Sequence, residues 1–100
     1  MIKHIVMWTV AGTTEQEKAK NKELVRAQFE TLRSKIDGMQ HMEIGIDSSR
    51  VDYACDVVLY TEFASQAALD VYATHPDHLR VKAALEGLRT SRHQVDFAVV

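Results

Sequence analysis

The fold is decided by residues Ile2–Val10, which read IKHIVMWTV. Most of these side chains are β-branched or aromatic, a composition that favours a β-strand. Successive side chains of a strand point to opposite faces, so Val6 and Trp8 share one face. Ile5 and Met7 share the other face, which is equally apolar. A strand with two apolar faces is expected to be covered on both sides, and one layer of helices can cover only one of them.

Residues 53–63, YACDVVLYTEF, predict a second strand of the same kind. Val57 and Leu59 fall on one of its faces. Val58 and Tyr60 fall on the other. We expect both strands to lie in one sheet, with helices on one face and a second copy of the chain on the other, because a bare apolar face marks an interface. The residues predicted to meet that copy are Ile5, Met7, Val58, Tyr60, His93, Val95, Phe97 and Val99.

The segment between these strands predicts a helix and then an edge strand. Thr14 and Glu17 have the spacing of a capping box, which marks the start of a helix. Apolar side chains then recur at spacings of four, three and four, as on one side of a helix: Val25, Phe29, Leu32 and Ile36. Gly38 is expected to cap the end of this helix. Alternating side chains in residues 42–46 predict a strand with one exposed side.

The remaining chain predicts a broken helix and a last strand. A helix is expected over residues 66–73, and Pro76 interrupts it, because proline suits the first turn of a helix but not its interior. A second helical piece over 76–89 and a strand over 93–100 complete the chain. The order β-α-β-β-α-β predicts one ferredoxin-like α+β domain over residues 1–100, with a four-stranded antiparallel sheet.

Charge and composition argue against two classes of partner. Twelve Lys and Arg against fourteen Asp and Glu give a net charge of −2, so the basic field that would hold nucleic acid is missing. No apolar run is long enough to predict a membrane span. Cys55 is the only cysteine and lies in an apolar run, so we expect it to be packed in the interior. A lone cysteine without a disulfide predicts a cytoplasmic location.

Residues 68–78, ALDVYATHPDH, contain the most specific motif, a tyrosine followed by His-Pro-x-His. This segment closely resembles the most recognisable stretch of the stress-responsive A/B-barrel (Dabb) family. Three further segments resemble the strands of that family, so the resemblance covers nearly the whole chain: residues 2–8, residues 53–63, and residues 91–92 with 95–97. The resemblance implies a dimeric α+β barrel, in which the sheets of two chains pack face to face with the helices outside.

Three interpretations of Tyr72, His75 and His78 remain open. The first is catalytic: Tyr72 and His78 resemble the catalytic pair of a plant polyketide cyclase of the family, in which the histidine is the base and the tyrosine assists it. Histidine suits that role because its pKa lies near operating pH. The second is zinc binding by His75 and His78, for which no third ligand is evident. The third is structural, with His75 capping the helix that begins at Pro76 and the other two hydrogen-bonded in the core.

His4 is expected on the helix-covered face, where a neutral histidine needs a hydrogen-bond partner. If the last strand lies beside the first, Asp96 supplies that partner across the ladder. The family cyclase carries a similar pair, so the resemblance also implies that His4 orients a ligand. The ligand-binding residues that we predict are Val6, Trp8, Leu59, His75, Arg92 and Asp96.

Two functions are consistent with these residues. The first is binding or conversion of a small carbonyl-bearing molecule, in the manner of a cyclase or lyase, with His78, Tyr72 and His4 as catalytic residues. The second is a stress-related structural or interaction protein without catalysis. Val57, Arg92 and Gln94 depart from the cyclase pattern, which implies a smaller or more polar pocket. No phosphate-binding glycine loop or dinucleotide fingerprint occurs, so no cofactor and no metal are predicted.

Overall fold

The computed structural model describes residues 1–100 and has the predicted element order. The chain has four strands and three helices, because Pro76 divides the second helical region in two. The elements are β1 (Ile2–Val10), α1 (Glu15–Glu30), β2 (Met39–Ile46), β3 (Val57–Phe63), α2 (Gln66–Ala73), α3 (Pro76–Ala84) and β4 (Arg89–Ala98). The strands form one antiparallel sheet in the order β2-β3-β1-β4. The ferredoxin-like α+β fold is therefore confirmed.

The helices cover one face of the sheet and bury the alternate side chains of the two central strands. Val6 and Trp8 of β1 and Leu59 of β3 are almost completely buried there. The indole of Trp8 stacks on the ring of Phe29 in α1, with the ring centroids 5.0 Å apart. Stacked aromatic rings at this separation add to the stabilisation from apolar burial, so this pair fixes α1 on the sheet.

The first helix is shorter than its apolar spacing predicted. It ends at Glu30, and the Thr31 hydroxyl donates to the carbonyl oxygen of Gln28 at 2.6 Å. Leu32 and Ile36 are still buried, but in the irregular turn that follows. The prediction that Gly38 caps this helix was wrong: Gly38 lies in the turn that enters β2, with φ of 84°.

Several other boundaries differ from the predicted ones. β2 begins earlier, at Met39, and β3 begins only at Val57, so that Cys55 precedes the strand and is half-buried rather than enclosed. α3 ends at Ala84, which leaves room for β4 to begin at Arg89. Within and after α3, the buried side chains are those of Val81 and Leu85, whereas Leu79 is exposed.

The opposite face of the sheet is covered by no helix, and we call it the bare face. Its apolar side chains are half-buried on the central strands and exposed on β4, where Val95 and Phe97 keep 50% and 46% of their surface accessible. Its members are Ile5, Met7, Val58, Tyr60, His93, Val95 and Phe97. This division between a covered and a bare face agrees with the alternation in the sequence. None of the helices has the length and apolar character needed to cross a membrane.

Candidate functional site

A cleft of about 320 Å³ opens between the covered face of the sheet and the break between α2 and α3. This volume is at the lower end of the range of about 300–1,000 Å³ typical of small-molecule sites. Its apolar wall consists of Val6, Trp8, Phe29 and Leu59, and its titratable side chains are His4, Tyr72, His78, Lys82, Arg89 and Arg92. A smaller opening beside it shares four of these residues and adds Asp96. We refer to the larger space as the cleft.

His4 lies on β1 and keeps only 5% of its surface accessible. It is directly opposite Asp96 of β4, and its Nδ1 lies 2.5 Å from the carboxylate Oδ1. Because a carboxylate oxygen accepts, Nδ1 carries the proton of this bond. The carboxylate also accepts from the Gln94 amide at 3.0 Å, and the Thr61 hydroxyl donates to the carbonyl oxygen of His4 at 2.9 Å. The predicted His4–Asp96 pair is therefore present, and it holds the imidazole in one orientation.

Tyr72 lies in the last turn of α2 with only 2% of its surface accessible. Its ring packs between Phe63 and His78, with centroid distances of 5.1 and 4.2 Å. The hydroxyl is buried and has no hydrogen-bond partner, which ordinarily costs about 1–3 kcal/mol. Burial also raises the pKa of this phenol, so the hydroxyl stays protonated and remains a hydrogen-bond donor. The structural interpretation, in which this hydroxyl is satisfied within the core, does not hold for Tyr72.

His78 lies in the first turn of α3, stacked on the Tyr72 ring at an interplanar angle of 28°. Its Nδ1 is 3.2 Å from the carbonyl oxygen of Ala73. A carbonyl oxygen can only accept, so Nδ1 carries the proton and Nε2 is the basic nitrogen. Burial lowers the pKa of His78, and the positive charges of Lys82 and Arg92 lower it further. The imidazole is therefore neutral at pH 7, which is the protonation state that a general base requires.

His75 is not brought to the cleft, although the sequence predicted it as a ligand-binding residue. Its Nδ1 accepts from the backbone N–H of Asp77 at 3.0 Å and so caps α3, as the structural interpretation proposed. With Nδ1 occupied in this way, His75 would need to release the cap to bind a metal through that atom. No group of three or more His, Cys, Asp or Glu side chains lies close enough together to hold a metal ion.

Two charged residues of the cleft, Arg89 and Lys82, are not among the site residues predicted from the sequence. Residue 89 was assigned to the end of a helix, whereas it begins β4 and faces the cleft. Arg92 lines the cleft, is exposed, and donates from its Nη2 to the Gln94 side chain at 2.5 Å. No periodicity in the sequence marks Arg89, because its position depends on an irregularity of the strand.

Comparison with known proteins establishes the family. A family model described as the stress responsive A/B barrel domain, Dabb, matches residues 2–99. The chain belongs to the Dabb family. No curated protein matches this Dabb chain.

Solved structures share the fold of this Dabb chain over almost its whole length. A dimeric ferredoxin-like protein of unknown function from Bacteroides fragilis is 27% identical, with a TM-score of 0.85 and coverage of 98% of this chain and 95% of that one. A Dabb family protein from Mesorhizobium loti is 24% identical, with a TM-score of 0.77 and coverage of 99% and 96%. A hydroxynitrile lyase from Passiflora edulis is 16% identical, with a TM-score of 0.78 and coverage of 99% and 93%. At these identities the last two show the fold alone.

In this Dabb protein we expect His78 to titrate below the ordinary histidine pKa of about 6.5. Its neutral, basic form is present above the lowered pKa and is lost as the pH falls through it. Replacing Lys82 with glutamine is expected to raise the pKa, because a nearby positive charge opposing protonation is removed. Following the imidazole carbon-bound protons by NMR across the acid range measures both values. A pKa at or above 6.5 in the unmodified protein would contradict the environment described here.

Proposed function

We propose that this Dabb chain binds a small carbonyl-bearing molecule in the cleft and acts on it by acid–base chemistry without a cofactor. The observation that carries the proposal is the Tyr72 hydroxyl, a buried donor without a partner at the wall of a cleft, in stacking contact with His78. A carbonyl oxygen of a bound molecule would accept from this hydroxyl and would remove the desolvation penalty. The donor and the base would then act on adjacent atoms of the same ligand.

In the proposed reaction, Nε2 of His78 removes a proton from the carbon next to the carbonyl group. The electron pair of the broken C–H bond forms the C–C double bond of an enolate, and negative charge develops on the former carbonyl oxygen. The Tyr72 hydroxyl stabilises that charge by its hydrogen bond, which strengthens as the charge develops. The enolate carbon then either takes back the proton from His78 or bonds to a second carbonyl carbon, whose oxygen receives the proton.

His4 and Asp96 are positioning residues in this proposal. The imidazole of His4 lies edge-on to the Tyr72 ring, with centroids 6.1 Å apart and an interplanar angle of 70°. Its bond to Asp96 prevents rotation of the ring, so His4 presents a fixed polar edge beside the donor and the base. The sequence motif supports this arrangement through its resemblance to the family. The positions of the side chains support it as well, because four of them line one opening: His4, Tyr72, His78 and Asp96.

Exchange of the methyl protons of acetophenone for deuterium in D2O tests the proposed reaction. Acetophenone has one carbonyl group and exchanges slowly without a catalyst, and its proton NMR signal reports every exchange event. The protein is expected to accelerate the exchange above buffer. Replacing His78 with alanine is expected to reduce that acceleration by about 10²-fold or more, since general-base catalysis contributes about 10²–10⁴-fold. Replacing Tyr72 with phenylalanine is expected to reduce it by about tenfold or more, because one oxyanion donor is lost.

A matched histidine control is offered by His75, which lies outside the cleft. Replacing His75 with asparagine keeps an N-cap side chain and is expected to leave the exchange rate unchanged. Thermal melting of each variant establishes that it is folded. If folded His78→Ala and Tyr72→Phe variants exchange at the rate of the unmodified protein, or if the unmodified protein gives no acceleration, the acid–base function is wrong.

We also propose that the chain forms a homodimer through the bare face. Apolar side chains on both central strands and on β4 support this, because an exposed patch of this kind usually marks an interface. Structural neighbours described as dimeric, including the one from Bacteroides fragilis, support it as well. The dimer would bury the bare face and leave the cleft on the helix-covered side free for a ligand.

We propose a cytoplasmic location, which the unpaired Cys55 supports.

A further inference from the structure

We infer that the ligand of the cleft carries a carboxylate group, held by Arg89 and assisted by Arg92. The inference rests on the proposed function, because it describes the molecule that the Tyr72–His78 pair would act on. It adds a second, charged recognition element to the carbonyl group already proposed. Three observations support it: the strand irregularity that directs Arg89 to the cleft, the unbalanced charge of the lining residues, and the absence of an acidic partner for Arg89.

A β-bulge in β4 brings Arg89 to the same side of the sheet as Arg92. Residues Arg92 and Ser91 pair in order with Trp8 and Thr9, but Val10 pairs with Arg89, so that Thr90 is an extra residue. In a regular strand, residues 89 and 92 would point to opposite faces. The bulge removes that alternation and places Arg89 opposite a buried residue, on the helix-covered side. Bulges of this kind commonly redirect a side chain beside a functional site.

The charge of the cleft lining is positive without compensation. Lys82, Arg89 and Arg92 line it, and no Asp or Glu side chain does. Two aspartates line the adjoining opening, and both are already bonded: Asp96 to His4 and Gln94, and Asp70 to the Gln66 amide. An anionic ligand would therefore enter a site whose field favours it and would meet no repelling carboxylate in the lining.

Arg89 itself has no ion pair. Its guanidinium lies over the Trp8 ring, 5.2 Å from the centroid, and its pKa is lowered by burial and by the charge of Arg92. Arginines elsewhere on the chain are placed differently: Arg26 and Arg33 each bond the glutamate three residues before them. A half-buried guanidinium over an aromatic ring, with its donors uncommitted to any acid, is suited to bind a planar carboxylate through two hydrogen bonds.

Benzoate and benzamide test the inference, since they share shape and differ in charge. Both are titrated into the protein while the Trp8 indole and Arg89 side-chain N–H signals are followed by NMR. Benzoate is expected to bind about tenfold more tightly than benzamide. A hydrogen bond to a charged group is stronger than one to a neutral group, and the difference corresponds to about a tenfold change in the dissociation constant. Replacing Arg89 with methionine is expected to abolish this preference. Replacing Arg89 with lysine is expected to retain part of it.

The matched control is Arg26→Met, which removes an arginine from the surface of α1, away from the cleft, and is expected to leave the preference unchanged. If Arg89→Met melts far below the unmodified protein, Arg92→Gln takes its place and is expected to reduce the preference severalfold. Three results would overturn the carboxylate assignment. They are equal affinity for benzoate and benzamide, a preference for benzoate that persists in folded Arg89→Met, and no binding of either ligand at the limit of its solubility. If acetophenone exchange depends on His78 but benzoate and benzamide bind equally well, the carboxylate assignment is wrong and the acid–base function stands.

If benzoate is preferred but the protein does not accelerate exchange, the acid–base function is wrong and the carboxylate assignment stands.

Discussion

Replacing Val95 with aspartate is expected to convert the protein from a dimer to a monomer. Val95 lies in the middle of β4, directly opposite Ile5, and half of its surface is accessible in the isolated chain. An aspartate there remains hydrated in a monomer, so folding of the chain should change little. In the proposed dimer its short carboxylate would be buried in the apolar interface without a partner. Such a charge costs about 3–5 kcal/mol, and two-fold symmetry imposes the cost twice.

The control for this substitution is Val71→Asp on the outer surface of α2. Val71 is the more exposed of the two valines, with 61% of its surface accessible, and it lies on the helix side rather than on the bare face. Sedimentation equilibrium gives the mass in solution. We expect twice the chain mass for the unmodified protein and for Val71→Asp, and the chain mass for Val95→Asp. A folded Val95→Asp variant that is still dimeric would place the interface elsewhere, and a monomeric unmodified protein would contradict the dimer itself.

The sequence predicted the sheet well because strand alternation is a local property. The assignment of Val6 and Trp8 to the covered face needed only the two-residue period of Ile2–Val10. The end of the first helix could not be found in the same way. Leu32 and Ile36 keep helical spacing after the helix has ended, because a turn packed against the same core also buries residues at that spacing. Apolar periodicity reports burial, and burial continues here beyond the regular hydrogen bonds.

The candidate site was predictable where it depended on strand pairing and not where it depended on irregular backbone. The His4–Asp96 pair follows once the last strand is placed beside the first, since a single register decides it. Arg89 requires knowledge of the bulge at Thr90, and no local sequence signal distinguishes a bulged strand from a regular one. His75 shows the converse, because a histidine before a proline has an ordinary capping role that the motif alone does not separate from ligand binding.

Replacing Gly38 with alanine is expected to destabilise the fold more than a comparable glycine substitution elsewhere. A Cβ at residue 38 would lie 2.6 Å from the Cβ of Ala68 in α2, well inside van der Waals contact. The backbone φ of 84° adds strain for any residue with a side chain. The turn must approach α2 closely because the Gly38 carbonyl oxygen accepts from Ala64 at 2.8 Å, just before that helix begins. Overpacking and strain together predict a loss of about 3 kcal/mol in the free energy of unfolding.

Gly87→Ala separates the two contributions, because Gly87 has a φ of 82° and no atom within 4 Å of the added Cβ. Gly87→Ala is expected to lower the free energy of unfolding by only about 1 kcal/mol, because it introduces the backbone strain without the steric contact. Urea denaturation measures both values. Adding Ala68→Gly to Gly38→Ala should recover about 1 kcal/mol, since the contact disappears while the strain remains and a glycine inside α2 costs up to about 1 kcal/mol. Equal losses for the two glycine variants, or no recovery in the double variant, would contradict a steric role for Gly38.

The same substitution should also affect the cleft, because α2, which Gly38 contacts, carries Tyr72 in its last turn. A Gly38→Ala protein that remains folded should therefore show a reduced acetophenone exchange rate, which would connect this turn to the geometry of the cleft.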